Sequence, residues 1–136
     1  MLPDGIAAYL GSVVDGLAYS ESTNEGNVFV DKLPASPARA VAVYTAEGPE
    51  PDSKLPYDPA EFEVVVRGAA ADGYWARTMA EGIRVALHSL RHVILPDVTD
   101  LVYCLATQAS PRYLGEDDEG RPSYSCTFRT EIRGTR

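Results

Sequence analysis

Residues 123–133 alternate without a break. Tyr124, Cys126, Phe128, Thr130 and Ile132 point one way, and Ser125, Thr127, Arg129, Glu131 and Arg133 point the other. That period of two predicts a long strand with one apolar face and one charged face. Residues 61–67 repeat the pattern: Phe62, Val64 and Val66 alternate with Glu61, Glu63, Val65 and Arg67. Two strands of this kind need a cover on one side only, which describes an antiparallel sheet under a layer of helices. The opposite face, with Arg129, Glu131, Arg133, Glu61, Glu63 and Arg67, is either wet or pressed against a partner.

Two helices can supply the cover. Ile6, Tyr9, Leu10, Val13, Val14 and Leu17 fall on one stripe of a 3.6-residue period, with Asp4 as the expected N-cap. Gly11 and Gly16 weaken that helix, so docking must hold it. The second helix begins at Asp72 and carries the stripe Trp75, Met79, Ile83, Ala86, Leu87 and Leu90, with Arg77, Glu81, Arg84 and His88 opposite. Pro96 stops the segment. Further strands are read at 27–31, 39–45 and 100–108, with a turn at 33–37. The fold class is therefore α+β: one domain over 1–136, a mostly antiparallel sheet of four to five strands, and two helices packed on one face.

Two connections are long for a compact domain. Loop 47–60 carries Pro49, Pro51, Pro56 and Pro59, which stiffen it, together with the apolar Leu55 and Tyr57. Hairpin tip 113–122 carries the acidic run Glu116, Asp117, Asp118 and Glu119, with Arg112 and Arg121 on either side. Long loops on a small scaffold either carry function or are disordered. Leu55, Tyr57, Arg112, Arg121, Asp117 and Asp118 are the candidate protein-interaction residues.

Twenty acidic against 12 basic side chains leave a net charge of −8. This argues against sequence-independent binding to nucleic acid and against docking on anionic lipid. The acid excess is uneven: residues 1–68 hold 11 acidic and 4 basic side chains, residues 69–136 hold 9 and 8. No apolar run approaches the roughly 20 residues of a membrane helix. Met1-Leu2-Pro3-Asp4 shows no basic n-region, so no signal peptide is read. Two cysteines are too few for a disulfide framework, and a reducing, cytoplasmic site of synthesis fits.

The chemistry-bearing residues do not assemble into a catalytic motif. His88 and His92 are four apart, but no Glu follows the first, as a metalloprotease helix requires. Cys104 and Cys126 read as packed thiols on neighbouring strands. The acidic run lacks the alternating ligands of a calcium loop. Phosphate loops, nucleophile elbows and dinucleotide fingerprints are missing. No cofactor and no metal are expected.

Several stretches carry a resemblance when taken in order. Phe29-Val30-Asp31-Lys32-Leu33-Pro34 precedes Pro37-Ala38-Arg39-Ala40-Val41-Ala42-Val43-Tyr44. Pro51-Asp52-Ser53-Lys54-Leu55-Pro56-Tyr57 and Val64-Val65-Val66-Arg67-Gly68 follow. Ser110-Pro111-Arg112-Tyr113-Leu114-Gly115, the turn at Asp117 and Asp118, Gly120-Arg121 and the strand through Phe128 complete the series. In order and spacing the chain resembles the tail terminator proteins of long-tailed bacteriophages, also labelled minor capsid proteins. The resemblance implies an α+β subunit of a hexameric ring in the virion. Such a ring caps the head-proximal end of the tail tube, ends tube polymerisation and offers a surface to a neck or head-completion protein. It implies no catalytic site, so no residue role is carried over. Two other readings stay open: another neck or head-closure protein, and a small metal-dependent enzyme on an α+β scaffold.

Overall fold

The computed structural model describes residues 1–20, 26–46, 48–50 and 54–133. Helix α1 (Leu2–Val13) lies ahead of strands β1 (Val28–Val30), β2 (Ala40–Ala46) and β3 (Tyr57–Arg67). Helix α2 (Gly73–Leu87) is followed by β4 (Leu90–Ile94), β5 (Asp100–Ala106), β6 (Arg112–Glu116) and β7 (Pro122–Arg133). These make one seven-stranded mixed sheet in the order β1-β2-β3-β7-β5-β4, with β6 pairing the other end of β7. The α+β class and its two helices stand. The expected count of four to five strands is corrected to seven among the described residues, and β1 pairs β2 in parallel.

Three local effects account for the differences. The second helix ends at Leu87: His88 is extended and Ser89 takes a left-handed φ of 71°. Leu90, expected on the helical stripe, therefore starts an edge strand. Residues 113–116 of the expected hairpin tip, with Arg112 before them, fold back on β7 as β6, with Gly115 at φ 100° where the register shifts. Loop 47–60 is shorter than expected, because Tyr57, Asp58, Pro59 and Ala60 already belong to β3. β2 pairs β3 only from Glu61 onward, so Pro59 lies beyond that ladder and its missing N–H leaves no bond to β2 unmade. Residues 47 and 51–53 lie outside the described residues.

The N-cap of helix α1 is Met1 rather than the expected Asp4, which sits in its first turn. Its Ile6, Ala7 and Leu10 share a single core with Ala76, Ala80, Ile83 and Leu87 of α2. Val41, Val43, Phe62, Val64, Val66, Cys126 and Phe128 form the sheet side of that core. Phe62 and Phe128 are register partners, and their rings stack at 5.0 Å. Such a pair adds about 1 kcal/mol beyond area burial. Gly11 has a packing reason: a Cβ there would lie 2.9 Å from the backbone nitrogen of Tyr19. Asp72 caps α2 as expected, accepting from the Trp75 N–H, and it also binds Arg39, whose guanidinium lies 5.0 Å from the Trp75 ring.

Arg67 departs from the alternation. It is only 5% exposed and donates to three backbone carbonyls, Pro34 at 2.6 Å, Pro37 at 2.8 Å and Ala38 at 3.0 Å. Residues 31–39 join a parallel strand pair without a helix, so their carbonyls lack ladder partners, and Arg67 supplies them. Replacing Arg67 with Met removes the donors and keeps most of the volume. Urea titration of Arg67→Met is expected to show a loss of about 3 kcal/mol.

Candidate functional site

Strand β3 is eleven residues long and pairs with β7 along its whole length, Tyr57 to Arg133 and Arg67 to Ser123. At the ordinary strand rise this ladder spans about 35 Å. The two sets of candidate residues sit at its opposite ends. Leu55 and Tyr57 mark one end, and Arg112, Asp117, Asp118 and Arg121 mark the other. The chain thus carries two separate candidate surfaces.

At the first end Leu55 is half exposed. The Arg133 guanidinium lies 5.6 Å from the Tyr57 ring centre, and Arg133 also approaches Asp100 at 3.6 Å. Beside them Leu2, Pro3, Ala46, Ala60 and Ile132 line an apolar hollow of about 250 Å³.

At the second end the acidic run is a folded turn. The Asp117 carboxylate accepts from the backbone N–H groups of Glu119 and Arg121 and from the Arg121 guanidinium at 2.7 Å. The Arg121 backbone donor, followed by its side chain, holds the Asp117 carboxyl below the usual carboxylate range. Arg121 also donates to the Ala35 carbonyl at 2.8 Å, so it ties the turn to residues 31–39. Arg121 and Asp117 therefore build this end, while Arg112 and Asp118 are exposed on it.

At this second end, on the face away from the helices, lies a groove that the sequence reading missed. Leu33, Tyr44, Val65 and Leu114 form its floor, Glu116 and Asp117 its rim, and its volume is about 390 Å³. Burial, and next the Glu63 carboxylate, raise the Tyr44 phenol above its ordinary range. The signal available was Val65, an apolar residue in the charged row of β3.

The remaining candidates behave as structural groups. Cys104 pairs in register with Thr130 and Cys126 with Val64, so the two thiols are not cross-strand partners. Burial pushes them up to about 12 and about 11, which keeps both protonated at neutral pH. His88 accepts from the Ala106 N–H through Nδ1, and His92 lies on β4, so the two do not share a helix face. Among the described residues no group of three or more His, Cys, Asp and Glu is placed to hold a metal ion. No helix among them is long and apolar enough to cross a membrane.

The profile described as "Bacteriophage tail terminator protein" matches residues 9–133. The chain belongs to this family. As a terminator it is a structural protein of the phage virion tail. A solved structure titled "Virion of native gene transfer agent (GTA) particle" contains a chain of the same fold, with a TM-score of 0.60 at 18% identity. That match covers 95% of this chain and 84% of the other. No individually curated protein shows a significant similarity.

The turn of this terminator is expected to respond to acid. A depressed carboxyl contributes stability above its unfolded value, and the contribution is lost as pH falls through the folded value. Asp117→Asn should therefore lower the urea midpoint at about pH 7 and leave it equal to wild type at about pH 2. Equal midpoints at neutral pH would show that the turn gains nothing from this carboxylate.

Proposed function

We propose that the chain caps the head-proximal end of the tail tube, ends tube polymerisation and presents a second surface to a neck or head-completion protein. The family match over 9–133 carries this reading. The separation of the two candidate surfaces supports it, because a cap between tube and neck needs two distinct faces. In this reading Leu55 and Tyr57 serve one partner. Arg112 and Asp118 serve the other, on the frame made by Asp117 and Arg121.

The subunits form a closed homo-oligomeric ring, taken as a hexamer from the family resemblance. A ring of identical subunits uses heterologous contacts that close after a fixed rotation, so each copy needs two complementary patches. Membership of the gene transfer agent chain in a virion particle supports a place in a multi-subunit assembly. The acid excess of −8 suits a passage through which phosphate must move without sticking. Such a device needs no catalytic step, cofactor or metal, and the two protonated, core-packed thiols fit that reading.

Phage lacking this chain are expected to produce tails of uncontrolled length, or tails that fail to join heads. Complementation then separates the two ends. Leu55→Asp with Tyr57→Asp, and Arg112→Glu with Asp118→Lys, should each stay folded by circular dichroism and fail at tail completion. Tails of normal length on filled heads without the chain would remove the reading. Full rescue by both double variants would remove the assignment of the ends.

A further inference from the structure

The groove on the outer sheet face combines an apolar floor with an acidic border. Asp117 is already neutralised by Arg121, but Glu116 and Glu63 have no ion-pair partner among the described residues. Glu63 is the register partner of Tyr44, so it stands beside the floor. An occupant of this groove needs an apolar side chain and a cation a short distance apart.

The chain itself carries such a segment at the far edge of the sheet. Among the described residues strand β4 pairs only with β5, which leaves its other edge open. His92 takes a left-handed φ of 53°, which breaks the alternation of the strand. Leu90 and Val93 pack against the core, while Arg91 is exposed and Ile94 is 62% exposed. Arg91 has no ion-pair partner among the described residues. The two outward side chains are three residues apart, about 10 Å along a strand. An exposed isoleucine beside an unpaired arginine on an open edge complements the groove in both polarity and charge.

We propose that the groove receives the β4 edge of a second copy of this chain, with Ile94 seated among Leu33, Tyr44 and Leu114 and Arg91 facing Glu116 and Glu63. The inference deepens the ring reading and rests on it. In the sheet order β4 lies four strands from β2, about 19 Å away. Groove and edge are thus different patches of one molecule, and their contact is head-to-tail, the kind that closes into a ring.

Sedimentation velocity on the purified full chain tests the contact, with fold checked by circular dichroism. Wild type is expected to sediment as a closed oligomer. Arg91→Glu and Glu116→Arg should each weaken self-association about tenfold or more, because each sets like charges together. The double variant, and an equimolar mixture of the two single variants, should recover it. Ile94→Ser should weaken it without recovery. A wild-type chain that stays monomeric, single variants that assemble as wild type does, or a double variant that fails to recover would each overturn the proposal. An oligomer indifferent to these swaps leaves the tube-capping reading standing. Normal tails without the chain remove that reading whatever the sedimentation shows.

Discussion

The buried guanidinium of Arg67 is the constraint on which the rest of the structure depends. Strands β1 and β2 are parallel, yet only residues 31–39 return the chain between them. A parallel pair is ordinarily joined by a longer crossover, usually a helix. Here the return is irregular backbone, and Arg67 satisfies the carbonyls of Pro34, Pro37 and Ala38. Burial lowers its pKa, and the nearby Arg121 does so further, yet an arginine keeps its charge under such pressure. Arg121 reaches the Ala35 carbonyl from the other side. With the return path fixed, β1 can join the sheet and α1 can pack over β1 and β2. Leu33 on this return path and Leu114 of β6 then both line the groove.

The sequence made the core legible because its faces obey a simple period. Phe62, Val64 and Val66, with Cys126 and Phe128, are the buried row that the alternation predicts. The helical stripes are legible in part: Ile6, Leu10, Ile83 and Leu87 are buried where the spacing puts them, while Ala76 and Ala80, outside the expected stripe, are buried more deeply than Trp75 and Met79, and Val13 is half exposed. What stayed hidden depends on backbone conformation or on contacts distant in sequence. Leu90 continues the helical spacing, and nothing local announces that Ser89 turns left-handed and starts β4. Arg67 looks like one more charge in an alternating row. Its burial follows from a loop thirty residues earlier. Arg121 reads as a surface cation beside an acidic run, while its 12% exposure shows a cation used inside the molecule.

The candidate surfaces were legible as residues and not as an arrangement. Leu55 and Tyr57 stood out as apolar groups in a proline-rich loop, and Arg112 and Asp118 as charges at a turn. Only the pairing of β3 with β7 places them at opposite ends of one ladder. That ladder is stiff because it lies in the middle of the sheet, with its inner row covered by α2. A rigid rod with different chemistry at each end is what a junction between two assemblies requires.

The most direct measurement of the account is the position of the chain in the particle. Electron microscopy of intact virions carrying a labelled copy locates it relative to head, tube and tail tip. The account predicts label as a single ring at the head-proximal end of the tail, at the junction with the neck. Label distributed along the tube, on the capsid or at the distal tip would contradict it.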